Sequence, residues 1–61
     1  MITKNHHEAL EKARGVSQLL LKDLQEVYQT DSDVAKEILI GEMIEQISRI
    51  NTILKRLVNQ I

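Results

Sequence analysis

The chain contains no cysteine, proline, tryptophan or phenylalanine, a single aromatic residue, Tyr28, and only two glycines, Gly15 and Gly41. Without cysteine there is no disulfide framework, no thiolate zinc site and no thiol chemistry. Without proline, and with so little glycine, the repeated turn clusters of a β-barrel or sandwich cannot be built. No apolar run approaches the ~18 residues of a membrane span, and the first residues lack a signal-peptide pattern, so a cytoplasmic protein with no membrane segment is expected. Eight basic and nine acidic residues give a formal charge of −1. As a whole, such a chain is drawn neither to nucleic acid nor to an anionic membrane.

What is present is aliphatic. Of 61 residues, 43% are apolar, and eight isoleucines and eight leucines make up most of them. At 7.0 kDa the chain is shorter than one core usually supports alone, so assistance from a partner or a metal is expected.

One break interrupts the pattern, at Gln29-Thr30-Asp31-Ser32-Asp33, where oxygen-bearing side chains can bond nearby amides and cap a new helix. Either Thr30, with Asp33 three residues on, or Ser32 could serve as that cap. The spacing on both sides is helical, which predicts one domain over 1–61 with a helix over about 6–28, a turn over about 29–32 and a helix over about 33–60. The sequence Asn5-His6-His7-Glu8 suits a capping box for the first helix, Asn5 accepting from the backbone and Glu8 reaching back.

On the first helix Leu10, Ala13, Ser17, Leu20, Leu24 and Val27 recur in alternating steps of three and four. On the second, Ile40, Met43, Ile47, Ile50, Leu54, Leu57 and Ile61 do the same. A repeat of 3.5 residues keeps one seam turned toward a partner helix, as in a coiled coil. The expected fold is therefore all-α, an antiparallel helical hairpin. Glu8 and Lys12 stand in the favourable order one turn apart, and the acidic start and basic end of the second helix suit its dipole.

Apolar residues extend beyond these seams, to Val16, Leu19, Leu21, Leu39, Ile44, Ile53 and Val58. Leaving seven such side chains wet would forfeit roughly 10–20 kcal/mol, an upper bound because unfolded chains already hide some area. The total stability of a small domain is only about 5–15 kcal/mol. Near the chain ends, Leu54, Leu57, Val58 and Ile61 are expected to face a first helix that offers only Met1 and Ile2 as cover. Both features point to burial against another chain. A homodimer closing into a four-helix bundle is expected first, with the seam residues of both helices at the interface, and binding of a heterologous helical protein is the alternative.

Other chemistries find little support. Adjacent helical histidines such as His6 and His7 point about 100° apart and cannot easily share an ion. His7 with Glu11 could form only a loose surface site, and the ExxH and HExxH patterns of metal bundles are missing. No metal, cofactor or catalytic residue is expected. The carboxylates read as solubilising charge rather than acid–base groups. Ser17, a hydroxyl on the seam, is expected to bond back to a carbonyl one turn earlier. A basic surface for RNA would have to come from Lys4, Lys12, Arg14 and Lys22, diluted by Glu8, Glu11, Asp23 and Glu26.

Thr3-Lys4, Ala9-Leu10, Ala13-Arg14 and the acidic turn Asp31-Ser32-Asp33, with the length and hairpin layout, resemble the Rop (Rom) family of plasmid copy-number modulators. That resemblance implies a hairpin that dimerises into a four-helix bundle and, by its family role, an RNA-binding regulator. In the family the first helices present Lys, Asn, Phe, Gln and Lys to paired RNA loops. Lys4 matches the first of these; the others fall on Glu11, Gly15, Leu19 and Glu26, which do not match. A looser similarity is to the small hairpin co-chaperones of type III secretion needle subunits, which hold a partner against an exposed apolar face.

Overall fold

The computed structural model describes residues 3–60. Two helices account for nearly all of them, α1 over Lys4–Gln29 and α2 over Asp33–Gln60. They pack along their lengths as an antiparallel hairpin, a rod of 46 × 15 × 10 Å. Among the described residues there is no strand, and no helix is long and apolar enough to cross a membrane.

The start of α1 differs from the expected cap. Thr3, in an extended conformation, is the N-cap: its Oγ1 accepts the His6 N–H at 3.3 Å, and the Thr3 N–H donates to His6 Nδ1 at 3.0 Å. Asn5 and Glu8 have the same spacing, but Asn5 is already helical and lies inside the turn it would have to cap. His6 thus serves as the reciprocal partner that Glu or Gln usually supplies, and its ring is buried. At α2 the cap is Ser32, whose Oγ accepts from the Ala35 N–H at 3.3 Å. Thr30 instead ends α1, its N–H bonded to the Val27 carbonyl at 3.3 Å. Three residues in ordinary backbone conformations reverse the chain, and none of the described residues has a positive φ.

The seam between the helices is one register away from the expected one. The covered positions of α1 are His6, Ala9, Ala13, Val16, Leu20, Asp23 and Val27; those of α2 include Leu39, Met43, Gln46, Ile50, Ile53 and Leu57. Ala13, Leu20, Val27, Met43, Ile50 and Leu57 belong to both registers, while Leu10, Ser17, Leu24, Ile40, Ile47 and Leu54 lie outside the seam and are exposed. Val16, Leu39 and Ile53, placed beyond the seam by the sequence pattern, turn inward instead. Both registers keep steps of three and four, so spacing alone does not separate them. Leu57 also departs from expectation, because it is buried within the single hairpin at 7% exposure, in company with Ala9. Met1, Ile2 and Ile61 lie outside the described residues.

The seam includes a polar layer. Gln46 Nε2 donates to Asp23 Oδ2 at 3.2 Å across the two helices, while Gln46 Oε1 is buried with no partner among the described residues. Such a layer favours one register over another, at the cost of an under-satisfied oxygen. Among the described residues only Ala13 and Leu57 are buried apolar residues, and no side chain is fully enclosed.

Two substitutions test this local reading. A Cβ added at Gly41 meets nothing within 4 Å, so Gly41→Ala is expected to add about 0.5–1 kcal/mol, seen as a higher melting temperature. Thr3→Ala removes the hydroxyl that caps α1 and is expected to cost about 1 kcal/mol, whereas Asn5→Ala should leave the melting curve close to the parent's.

Candidate interaction surface

The register of the seam determines what each side of the hairpin shows. In an antiparallel pair, the residues one step after each seam position emerge on the same side of both helices. For the seam positions from Ala9 to Val27 and from Leu39 to Leu57 they are Leu10, Arg14, Ser17, Leu21, Leu24 and Tyr28 from α1, and Ile40, Ile44, Ile47, Asn51, Leu54 and Val58 from α2. Nine of these twelve are apolar and one is charged. The residues one step before the same seam positions form the other side: Glu8, Lys12, Gly15, Leu19, Lys22 and Glu26 with Ile38, Glu42, Glu45, Arg49, Thr52 and Arg56. Eight of those twelve are charged and two are large and apolar. The hairpin is therefore amphipathic as a whole, beyond the amphipathicity of each helix.

All nine apolar residues of the first side are exposed. Tyr28 is 90% exposed and Val58 70%. On α2 the stripe Ile40, Ile44, Ile47, Asn51, Leu54, Val58 runs for five turns with Asn51 as its one polar member. A shallow hollow along it is lined by Leu20, Ile47, Ile50, Asn51 and Leu54. On α1 the two polar residues of this side are already engaged: the Ser17 hydroxyl donates to the Arg14 carbonyl at 2.8 Å, and Arg14 Nη1 lies 3.5 Å from Glu11 Oε1. The back-bond of Ser17 is as the sequence predicts, although the residue lies on the open side rather than in the seam.

Total exposure agrees with an unfinished surface. A compact monomer of 7.0 kDa is expected to expose about 4,000 Å², and this chain exposes 5030 Å². The excess, about 1,000 Å², is comparable to the ~800 Å² that each partner contributes to a standard interface. The radius of gyration, 14.2 Å, likewise exceeds the roughly 10.5 Å of a compact domain this long.

The four cations considered for RNA do not converge. Lys12 and Lys22 lie on the charged side, Arg14 lies on the aliphatic side against Glu11, and Lys4 points away from the seam. Lys12 and Arg49 border a groove that is also lined by Val16, Leu19 and Ile53. Of the two adjacent histidines, His6 is committed to the α1 cap and His7 is exposed. Among the described residues no three His, Asp or Glu side chains gather as a metal site. Sequence reasoning treated Asp23 as surface charge and did not single out Gln46. Their spacing with Ala9, Ala13 and Val16, and with Leu39 and Met43, was the available signal. Comparison with protein families, with characterised proteins and with solved structures finds no match for this chain.

Proposed function

We propose that this chain is a non-enzymatic interaction or regulatory module that acts as a homodimer, two hairpins closing into a four-helix bundle through their aliphatic sides. The observation that carries this reading is the choice of register. A hairpin built to stand alone would gain most by turning Leu10, Leu24, Ile40, Ile47 and Leu54 inward and leaving Asp23 and Gln46 to water. This chain does the reverse: the polar pair is covered and the aliphatic residues are outside. That arrangement is economical when a second surface covers the exposed side. A second copy is the simplest such surface, because closed two-fold dimers use one patch on both partners.

An RNA-binding role has less support, since its four candidate cations are spread over three faces and one is beside a carboxylate. A co-chaperone role would use the same aliphatic side for a foreign helix, and the mass of the pure protein separates it from the homodimer.

Ile47→Asp tests the surface. Two charges buried in the dimer and two lost aliphatic contacts should weaken association by at least about 3 kcal/mol, roughly a hundredfold in Kd. Leu19→Asp, on the charged side, should leave association unchanged. Sedimentation equilibrium of both variants checks this; equal association by the Ile47 variant and the parent would place the interface elsewhere, and a monomeric parent would remove the homodimer.

A further inference from the structure

The proposed homodimer leaves the charged side of each hairpin in water, and that side is not uniformly polar. Val16, Leu19 and Ile53 lie together in a groove between α1 and α2. Leu19 is 54% exposed, and pairing of the aliphatic sides gives it no cover. A lone exposed leucine calls for no explanation, whereas an apolar strip set among charged residues marks a candidate for binding.

The groove holds about 770 Å³, within the roughly 300–1,000 Å³ of small-molecule sites. Its cations are Lys12 from α1 and Arg49 from α2, and no carboxylate lines it. The one ion pair among the described residues joins Arg14 to Glu11, so neither Lys12 nor Arg49 has its charge answered within the described chain. The hydroxyl of Thr52, also in the groove, already donates to the Ser48 carbonyl at 3.0 Å. An apolar lining with one cation from each helix is complementary to a molecule with a hydrocarbon body and an anionic end.

Gly15 also lines the groove. Glycine weakens a helix interior, and nothing in the hairpin requires one here: its φ is not positive, and an added Cβ meets nothing within 4 Å. What the missing side chain does provide is open space beside Val16 and Leu19.

We propose that this groove binds a free, single-chain amphiphilic carboxylate of the fatty-acid type. Its chain lies against Val16, Leu19 and Ile53, and its carboxylate is taken by Lys12 and Arg49. Two features argue against larger partners. Toward the turn the same side carries Glu26, Glu42 and Glu45, which would repel an acidic helix laid along the rod but lie beyond a ligand one groove long. Over its whole length this side balances Glu8, Glu26, Glu42 and Glu45 against Lys12, Lys22, Arg49 and Arg56, leaving no net charge to draw it onto an anionic bilayer.

Decanoate, kept below its micelle concentration, is the probe for the full chain, and decylamine, of equal chain length and opposite charge, is the control. Amide chemical shifts should saturate at one decanoate per chain, with the changes centred on Val16, Leu19, Arg49 and Ile53. Decylamine should bind at least about tenfold more weakly. Lys12→Gln combined with Arg49→Gln should weaken decanoate binding about tenfold and remove most of the preference over decylamine. Gly15→Leu fills the groove with a better helix former; it should melt no lower than the parent yet lose saturable binding. Equal affinity for the two amphiphiles, or full binding by the Gly15 variant, would overturn the assignment. So would shifts centred on Leu10, Leu24, Ile47 and Leu54, which would place the contact on the aliphatic side. Co-sedimentation with phosphatidylglycerol vesicles, without binding of free decanoate, would overturn it in favour of a bilayer. Sedimentation without ligand reports the homodimer separately: a monomeric chain that still takes decanoate in the groove refutes that reading and leaves this one standing.

Discussion

A helix can offer one stripe to one neighbour, and each helix of this chain carries two. That constraint governs the molecule. Two helices joined by a three-residue turn can cover one pair of stripes between them; the second pair, Leu10 to Tyr28 and Ile40 to Val58, is left on a common side. Everything distinctive about the surface follows from it, including the excess exposed area and the scarcity of buried side chains. Two buried apolar residues among those described are a small core for an independent fold, and a chain of this length without cysteine has no disulfide with which to compensate.

The polar layer takes its meaning from the same constraint. Asp23 and Gln46 occupy positions where leucine would serve stability better. Their hydrogen bond marks the one register in which they meet, and a slip by one position would leave both facing the wrong side. With two aliphatic stripes of equal spacing on each helix, a purely apolar hairpin would have little to distinguish its two registers. The polar pair inside thus locates the two helices against each other.

Much of the architecture was legible in the sequence, and the part that was not has a definite cause. The break at Gln29 to Asp33 located the turn because polar caps and helix periodicity change together there, and Ser32 proved to be one of the two candidate caps. The seams were half legible. Ala13, Leu20, Val27, Met43, Ile50 and Leu57 are shared by both registers and so were identified either way; Leu10 and Leu24 were preferred to Ala9 and Asp23 because hydrophobicity is the usual guide to the inside. That guide assumes one interior. Where a chain has an inner seam and an outer face, the more apolar stripe can be the outer one. The α1 cap was misplaced for a different reason, since a histidine at the third helical position is not the residue a capping box ordinarily displays.

The reversal between the helices uses no glycine, no proline and no left-handed residue. Thr30, Asp31 and Ser32 are therefore replaceable as a spacer, provided a hydroxyl or carboxamide still starts α2. The bend is held by the packed flanks and not by backbone chemistry, and lengthening such a loop costs little because closure entropy grows only slowly with length. This tip is thus the natural place to graft a reporter peptide or to join the chain to another sequence, at a site remote from the midpoint of the aliphatic side.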